Sequence, residues 1–188
     1  MHLAAPRIAP IADTHLTPEQ TAALAPVRQG ARAPLNIFRT FAHAPEALTA
    51  FLAWGGYVLS KKNTLSARER ELVILRTGFL CRSGYEWTQH VAIGLRAELS
   101  PAEIDNIKTS AWSWDPADAA LIAACDDLHA RQHVSDATWA ALRAHFSERQ
   151  CMDVVFTAGQ YTQVCMMLNS FGVQLDEGQT LDADLDLR

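Results

Sequence analysis

Apolar residues recur every three or four positions along most of the chain, which is the spacing of one helix face. Between residues 67 and 79, for example, the apolar positions are Leu72, Val73, Ile74, Leu75 and Phe79. No alternating apolar–polar run bounded by turn residues occurs, so the sequence predicts no strand. The pattern predicts an all-α fold with helices over 18–28, 36–41, 45–59, 67–79, 84–97, 101–109, 116–132, 136–145 and 148–172.

Capping signals mark several of these helix starts. A Ser or Thr followed three residues later by Glu or Gln can satisfy two orphan backbone N–H groups, which makes a capping box. This spacing occurs at Thr17–Gln20, Ser66–Glu69, Ser83–Glu86, Ser100–Glu103 and Ser147–Gln150. Pro18 and Pro101 stand at the first helical position, where a missing N–H costs nothing. The local signals and the apolar spacing therefore agree on a helical fold.

The length of 188 residues suits a single domain and is short for two. With 49% hydrophobic residues, the chain can build a core without metals or disulfides. We expect one domain over 1–188, with extended arms at 1–16 and 176–188. The acidic tail LDADLDLR is weakly patterned, so the C-terminal arm is either disordered or laid over a partner subunit.

Charge and hydropathy exclude several classes of partner. A net charge of -5 without any Lys/Arg run argues against nucleic acid. The most apolar run, 151–173, is interrupted by Asp153, Gln160 and Asn169, so no segment approaches the roughly 18 apolar residues of a membrane span. The N-terminus lacks the apolar region of a secretory signal. We therefore expect a cytoplasmic protein that binds neither nucleic acid nor membrane.

The stretch 66–97 is the richest in groups that carry chemistry. Glu86 and His90 are four residues apart and share one face of a predicted helix. A turn near Arg82–Gly84 allows this helix to form an antiparallel hairpin with the preceding one, which would bring Glu71 beside the same face. Two carboxylates around one imidazole can move protons, because a histidine near neutrality gives or takes one and a carboxylate fixes its tautomer.

The same residues also have a purely structural interpretation. Glu86 is the third helical residue of the predicted capping box with Ser83, which alone explains an acidic residue there. Glu71 lies in the first turn of its helix, where the helix dipole favours negative charge. A Glu–His pair with a spacing of four is also common on helix surfaces. Spacing alone leaves both interpretations open.

Two segments resemble a known family: ERELVILRTGFLCRSGYEWTQHVAIGLRAELSPAEI from residue 69, and FTAGQYTQVCMMLNSFGVQL from residue 156. They are similar to the alkylhydroperoxidase D-like branch of the carboxymuconolactone decarboxylase family, whose signature is E…C-x-x-C-x-x-x-H. Anchored on His90, the leading glutamate falls on Glu71, and the two cysteines fall on Ser83 and Glu86. The resemblance covers about 36–175, which leaves 1–35 as an N-terminal extension and 176–188 as a C-terminal arm.

The resemblance implies a helical bundle with a central antiparallel hairpin, assembled as a homo-oligomer, with no metal or cofactor. A peroxidatic thiol pair cannot operate where Ser83 and Glu86 replace both cysteines, and the decarboxylase branch works without that pair. The leading hypothesis is a carboxymuconolactone decarboxylase-like lyase that acts on a small carboxylated or oxygenated organic substrate. In it His90 carries the proton, Glu86 shares its helix face, and Glu71 orients or charges the imidazole.

Two alternatives remain. Cys81 lies next to a helix start and Arg82, which lower a thiol pKa, so peroxiredoxin-type antioxidant activity through this residue is one alternative; a small buried thiol is the interpretation we favour. A non-catalytic oligomeric helical protein is the other. Ser83 and Tyr161 are candidate substrate contacts, the latter as a phenolic proton donor. His129 and His133 fit no common metal-ligand spacing, and a solvated helix face explains them better.

Overall fold

The structure, a computed structural model, describes residues 3–28, 30, 33–109 and 113–185. Within these ranges it consists of helices and connecting loops without a strand, so the all-helical prediction is confirmed. The α-helices are α1 (Pro18–Leu24), α2 (Asn36–Phe41), α3 (Pro45–Val58), α4 (Ala67–Leu80), α5 (Gly84–Arg96), α6 (Pro101–Ile107), α7 (Pro116–Arg131), α8 (Asp136–His145) and α9 (Glu148–Phe171). Short 3-10 helices occupy Asp13–His15, Ala25–Val27 and Ala183–Leu185.

Four of the five predicted capping boxes form, at the starts of the helices preceded by Thr17, Ser66, Ser100 and Ser147. The prediction is wrong for Ser83, whose side chain does not cap α5. Its hydroxyl is buried without a hydrogen-bond partner among the described residues. The other half of the box is also missing, because the Glu86 carboxylate binds His90 rather than the Ser83 backbone N–H.

Helix α4 is the centre of the fold and packs against α5, α7 and α9. Its residues from Glu71 to Gly78 are all buried, because neighbours cover every side of it. Contacts between α4 and α5 run in opposite order along the two helices: Glu71 meets His90, and Gly78 lies against Glu86. A Cβ at Gly78 would lie 3.6 Å from Glu86 Cγ, so the glycine allows close approach. The predicted central antiparallel hairpin is therefore present.

Apolar packing forms two main clusters with the hairpin between them. One cluster joins α4 to α6, α7 and α8 through residues such as Leu72, Leu121 and Leu142. The other joins α1, α2 and α3 to the C-terminal half of α9, around Leu48 and Leu168. The polar residues of α4 and α5 that face this boundary are consequently shielded from water on both sides.

The N-terminal arm lies along its own chain. The backbone N–H groups of Arg7 and Ile8 both donate to the Phe171 carbonyl at the end of α9, at 2.8 and 3.2 Å. Gln174 also donates to the Leu3 carbonyl at 3.0 Å. These bonds satisfy backbone groups at the C-terminus of the longest helix.

The C-terminal arm packs on its own chain as well, and this corrects the prediction that it is disordered or laid over a partner subunit. The Asp176 carboxylate accepts hydrogen bonds from the Tyr85 hydroxyl at 2.7 Å and from the Asn36 backbone N–H at 2.8 Å. Asp182 accepts from Trp87 Nε1 at 3.1 Å and pairs with Lys108 at 2.7 Å. The acidic residues of the tail thus find donors on α2, on α5 and just after α6. Residues 186–188 of the arm lie outside the described residues.

None of the helices in the described part of the chain combines the length and apolar character needed to cross a membrane.

Candidate functional site

The three residues singled out from the sequence meet in the interior. His90 Nδ1 lies 2.7 Å from Glu71 Oε2, and His90 Nε2 lies 2.9 Å from Glu86 Oε1. The side chains are almost fully enclosed, with exposed fractions of 1% for Glu71, 4% for Glu86 and 7% for His90. Both ring nitrogens lie within hydrogen-bond distance of a carboxylate, and an imidazolium can donate to both at once.

This geometry follows from local rules combined with the hairpin. The spacing of four on α5 places Glu86 one turn before His90, on the same face. The antiparallel course of α4 then places Glu71 on the far side of the ring. The ring of Tyr161 on α9 closes the third side, edge-on to the imidazole with centroids 4.9 Å apart.

The charge on His90 depends on two opposing effects. Burial lowers the pKa of an imidazole, because desolvation disfavours the charged form. Here the charge of Glu86 and the hydrogen bonds to Glu71 and Glu86 outweigh burial and raise the pKa of His90 to about 10. The group is consequently an imidazolium at neutral pH.

One oxygen of the cluster has no partner. Glu71 Oε1 is buried and accepts no hydrogen bond from any residue that the structure describes. A buried carboxylate oxygen without a hydrogen bond reduces the stability of the fold, so such atoms are few in native proteins. Glu71 thus binds the imidazole through Oε2, whereas Oε1 makes no hydrogen bond that stabilises the described part of the fold.

Glu86 and His90 lie on the wall of a cavity of about 470 Å³ between α3, α5 and α9. Aliphatic and aromatic side chains form most of its lining, among them Leu35, Phe38, Phe51, Leu52, Val58, Ile93 and Val164. Its polar lining consists of the side chains of Glu86, His90, Tyr85, Gln89, Gln160 and Tyr161. No Lys or Arg belongs to this lining in the described part of the chain. The cavity thus suits a small and mainly apolar molecule.

The structure separates the other candidate residues from one another. Tyr161 lines the cavity, and burial raises the pKa of its phenol well above the usual range. Ser83 is buried outside the cavity, next to Cys165. Cys81 is also outside it, at the end of α4. Gln89 and Gln160 are lining residues that sequence reasoning missed as site residues; the only signal was a polar residue within an apolar helix.

Cys81 has neighbours that the sequence did not suggest. Its thiol lies 4.0 Å from His129 Nδ1 on α7, and Asn169 Nδ2 on α9 donates to its carbonyl at 3.0 Å. His129 and His133 are both exposed, so the prediction of a solvated helix face is confirmed for them. Among the residues the structure describes, no three His, Cys, Asp or Glu side chains are arranged to hold a metal ion.

Residues 45–127, which include the whole Glu71–Glu86–His90 cluster, match the model of the carboxymuconolactone decarboxylase family. This segment of the chain is similar to that family. It lacks the C-x-x-C pair, since Ser83 and Glu86 stand at the two positions that the resemblance assigns to cysteine. The match supports a general enzyme-like role. No curated protein sequence matches the chain.

Solved structures share the fold at low identity. An uncharacterized peroxidase-related protein from Ralstonia eutropha JMP134, an alkylhydroperoxidase core, superposes with a TM-score of 0.78 at 23% identity, over 93% of this chain and 95% of that one. A peroxidase-related protein from Silicibacter sp. TM1040 gives 0.76 at 17% identity, over 94% and 92%. The debrominase Bmp8 gives 0.72 at 12% identity, over 90% and 92%. These likenesses confirm the fold class of the family.

Proposed function

We propose that the carboxymuconolactone decarboxylase-like chain is an enzyme that transfers protons to and from a small, mainly apolar and oxygenated molecule bound beside Glu86. The observation that carries the proposal is the position of Glu86 and His90 on the wall of an apolar cavity, with Glu71 behind the imidazole. A carboxylate that faces a mainly apolar cavity can take a proton from carbon once a bound substrate has displaced water from it.

Each residue of the cluster has a distinct part in this proposal. Glu86 contacts the substrate and accepts a proton from a C–H bond next to a carbonyl or other electron-withdrawing oxygen group. His90 Nε2 lies 2.9 Å from Glu86 Oε1 and holds the Glu86 side chain in place. The positive imidazolium offsets the negative charge of the carboxylates during proton transfer. Glu71, which does not line the cavity, positions the imidazole from behind. Gln160 and Tyr161 supply N–H and O–H donors on the cavity wall for a developing oxyanion.

The charge of the cavity favours an oxygenated substrate over a carboxylated one. The His90 imidazolium already pairs with two carboxylates, and no Lys or Arg of the described residues lines the cavity to pair with the carboxylate of a substrate. Burying an unpaired anion costs several kcal/mol, on the order of the penalty for isolated charges in protein interiors. An uncharged ketone, lactone or phenol avoids this cost. We therefore favour proton transfer on a neutral substrate over decarboxylation of a carboxylated lactone as the reaction of this site.

Solvent deuterium exchange tests this proposal, because it detects proton transfer to and from carbon whether or not a product is released. Small ketones, lactones and phenols, each with a carboxylated counterpart, are incubated with the protein in D2O and followed by proton NMR. We expect exchange at the activated C–H position of at least one neutral compound. Glu86→Gln should slow it by about 10²–10⁴-fold, the usual contribution of a general base. Glu46→Gln, an exposed carboxylate on α3, is the matched control and should exchange at the wild-type rate.

Three results would contradict the proposal. Exchange that is equally fast in Glu86→Gln and the wild type would remove Glu86 from the chemistry. Exchange confined to the carboxylated compounds would reverse the substrate preference. Absence of exchange with every compound would favour a non-catalytic helical protein of the same fold.

We also infer that the chain forms a homo-oligomer. The exposed side chains Trp54 on α3 and Met152 and Met166 on α9 are apolar, and apolar side chains of this size are usually covered. Light scattering at micromolar concentration should give a mass that is a multiple of 20.7 kDa. A mass of one chain over the whole concentration range would refute it.

A further inference from the structure

Two adjacent glycines, Gly55 and Gly56, lie in the second half of α3 and line the cavity beside Glu86. A glycine within a helix costs about 1 kcal/mol relative to alanine, so it commonly has a packing or backbone reason. Neither glycine has a positive φ. Outside α3, a Cβ at Gly56 would meet no described atom within 4 Å, and one at Gly55 would meet only Gln160 Nε2, at an ordinary 3.8 Å. The described fold thus has room for alanine at both positions.

The Gln160 side chain on α9 is buried without being used by the fold. It is 5% exposed and lines the same cavity, and its Oε1 accepts no hydrogen bond from a described residue. Its Nε2 makes none either and lies beside Gly55. By contrast, Tyr85 and Gln89 on the cavity wall both donate to Asp176, at 2.7 and 2.8 Å. Since buried polar groups are normally hydrogen-bonded, the Gln160 carboxamide is available to a molecule in the cavity.

The space beside Gln160 Nε2 can hold an oxygen atom. An oxygen that accepts from an amide lies about 2.7–3.2 Å from the nitrogen. An oxygen that approaches Nε2 from the side of α3 would therefore overlap with any side chain at position 55, whose Cβ would lie 3.8 Å from the same nitrogen. The glycine at position 55 keeps this approach open.

We propose that Gly55 and Gln160 form an oxygen-binding subsite of the cavity, in which Gln160 Nε2 donates to the carbonyl oxygen of a neutral ketone or lactone. The missing Cβ of Gly55 leaves room for that oxygen. A carbonyl oxygen only accepts hydrogen bonds, whereas a phenol also brings a proton that needs an acceptor between apolar walls. The inference rests on the function proposed above, and it selects carbonyl compounds from the neutral substrates considered there.

The subsite would also assist the proton transfer assigned to Glu86. When the C–H bond next to the carbonyl breaks, the proton goes to the Glu86 carboxylate and the electron pair moves into an enolate. The negative charge then develops on the oxygen that Gln160 Nε2 already faces, and a donor placed there stabilises it. The Gln160 amide keeps both of its hydrogens, so the step needs no further reactant. Gly55 is a specificity-determining residue that acts through the space it leaves.

NMR spectroscopy of the 15N-labelled full chain tests the subsite without requiring turnover. Cyclohexanone and phenol are titrated separately into the protein. The side-chain amide signal of Gln160, identified by its loss in Gln160→Met, reports contact with the ligand. We expect cyclohexanone to shift this signal in a saturable manner, and we expect phenol to bind more weakly because its proton finds no acceptor in the subsite.

Two glycine variants form a matched pair. Gly55→Ala should weaken cyclohexanone binding by about tenfold or more, because the new methyl group blocks the oxygen and the hydrogen bond is lost. Gly159→Ala, at an exposed glycine of α9 whose Cβ position meets nothing within 4 Å, should bind as the wild type does. Alanine favours a helix over glycine, so both variants should resist urea better than the wild type. A loss of binding in Gly55→Ala would then not come from unfolding.

Gln160→Met removes the N–H donor and keeps a side chain of similar length. It should weaken cyclohexanone binding by about 2–10-fold, the worth of one hydrogen bond. The binding of phenol should change less, since the proposed contact is made to a carbonyl oxygen.

Three results would overturn the subsite: no shift of the Gln160 amide signal with cyclohexanone, equal cyclohexanone affinity in the wild type, Gly55→Ala and Gln160→Met, or phenol binding as tight as that of cyclohexanone. Deuterium exchange fails separately from these. Cyclohexanone that binds at Gln160 without exchanging would keep the subsite and remove the proton-transfer function. Exchange at the wild-type rate in both Gly55→Ala and Gln160→Met would keep that function and remove the subsite.

Discussion

Two buried carboxylates in this molecule are used in different ways. Asp153 on α9 is 0% exposed and Glu71 on α4 is 1% exposed, so each is removed from water to the same extent. Asp153 Oδ1 accepts from the Tyr57 hydroxyl at 2.6 Å, and Oδ2 accepts from the backbone N–H and hydroxyl of Thr64 at 2.8 and 2.7 Å. Glu71 uses only Oε2, towards His90, and leaves Oε1 unpartnered among the described residues.

The difference separates a structural acid from a candidate functional one. The Asp153 network joins the end of α3 and the following loop to the start of α9, and each of its oxygens is satisfied. The Glu71 cluster joins only two helices that already pack closely, and it faces an open cavity through Glu86 and His90. A buried polar group that is incompletely satisfied reduces stability, and proteins retain such groups mainly at sites with another use.

Removal of the structural acid should have the largest effect on stability. We expect Asp153→Ala to reduce the free energy of unfolding by about 3–5 kcal/mol, because it leaves the Thr64 N–H and two hydroxyls without their acceptor. Urea denaturation followed by circular dichroism measures this loss. A loss below about 1 kcal/mol would mean that water replaces the carboxylate and that the comparison between the two acids is wrong.

Removal of the charge on Glu71 should cost less stability but change the site more. Glu71→Gln keeps an oxygen that accepts from His90 and removes the negative charge, so we expect a loss of about 1–3 kcal/mol. The pKa of His90 should fall, because one of the groups that raises it is gone. An NMR titration of the His90 ring in wild type and variant gives the shift. An unchanged pKa would show that Glu71 does not control the imidazole.

The pH dependence of stability should have opposite signs for the two regions. Hydrogen bonds, the first from Tyr57, lower the pKa of Asp153 against the opposing effect of burial, so its contribution is present above the ordinary value of 3.8 and is lost as pH falls through the folded pKa. The raised pKa of His90 gives a contribution that is complete below 6.5 and is lost as pH rises through about 10.

Denaturation curves between acid and alkaline pH can separate these two limbs. Asp153→Asn should flatten only the acid limb, and Glu71→Gln only the alkaline limb. If either variant alters both limbs equally, the two clusters are coupled and cannot be treated as independent regions.

Loss of a single donor to Asp153 should have the smallest effect. Tyr57→Phe removes one hydrogen bond and leaves the two from Thr64, so we expect a loss of about 1 kcal/mol. Arg149→Ala, which removes a half-exposed cation 3.6 Å from the same carboxylate, should cost less than about 1 kcal/mol. Thermal denaturation resolves the first change. A Tyr57→Phe effect as large as that of Asp153→Ala would show that the tyrosine, rather than the carboxylate, holds the network.

The sequence alone predicted the helices and the placement of Glu86 and His90 on one helix face. Capping boxes and apolar spacing act within four residues, so the starts of helices such as α4 and α9 were predictable. Glu86 and His90 share a face for the same local reason. Their meeting with Glu71 required only the short turn of the hairpin. The roles of these three residues in chemistry stay predictions.

The tertiary structure decided whatever depended on competition or on distance along the chain. The Glu86 carboxylate could either complete the capping box with Ser83 or bind His90. It binds His90, whose Nε2 is buried and has no other acceptor among the described residues. The hydrogen bond from Asn169 to the Cys81 carbonyl depends on how α4 packs on α9, which no local spacing encodes. The acidic tail found its donors on helices far away in sequence. Pairings between distant segments arise only when the core has closed, because burial brings their polar groups together and then requires each to find a partner.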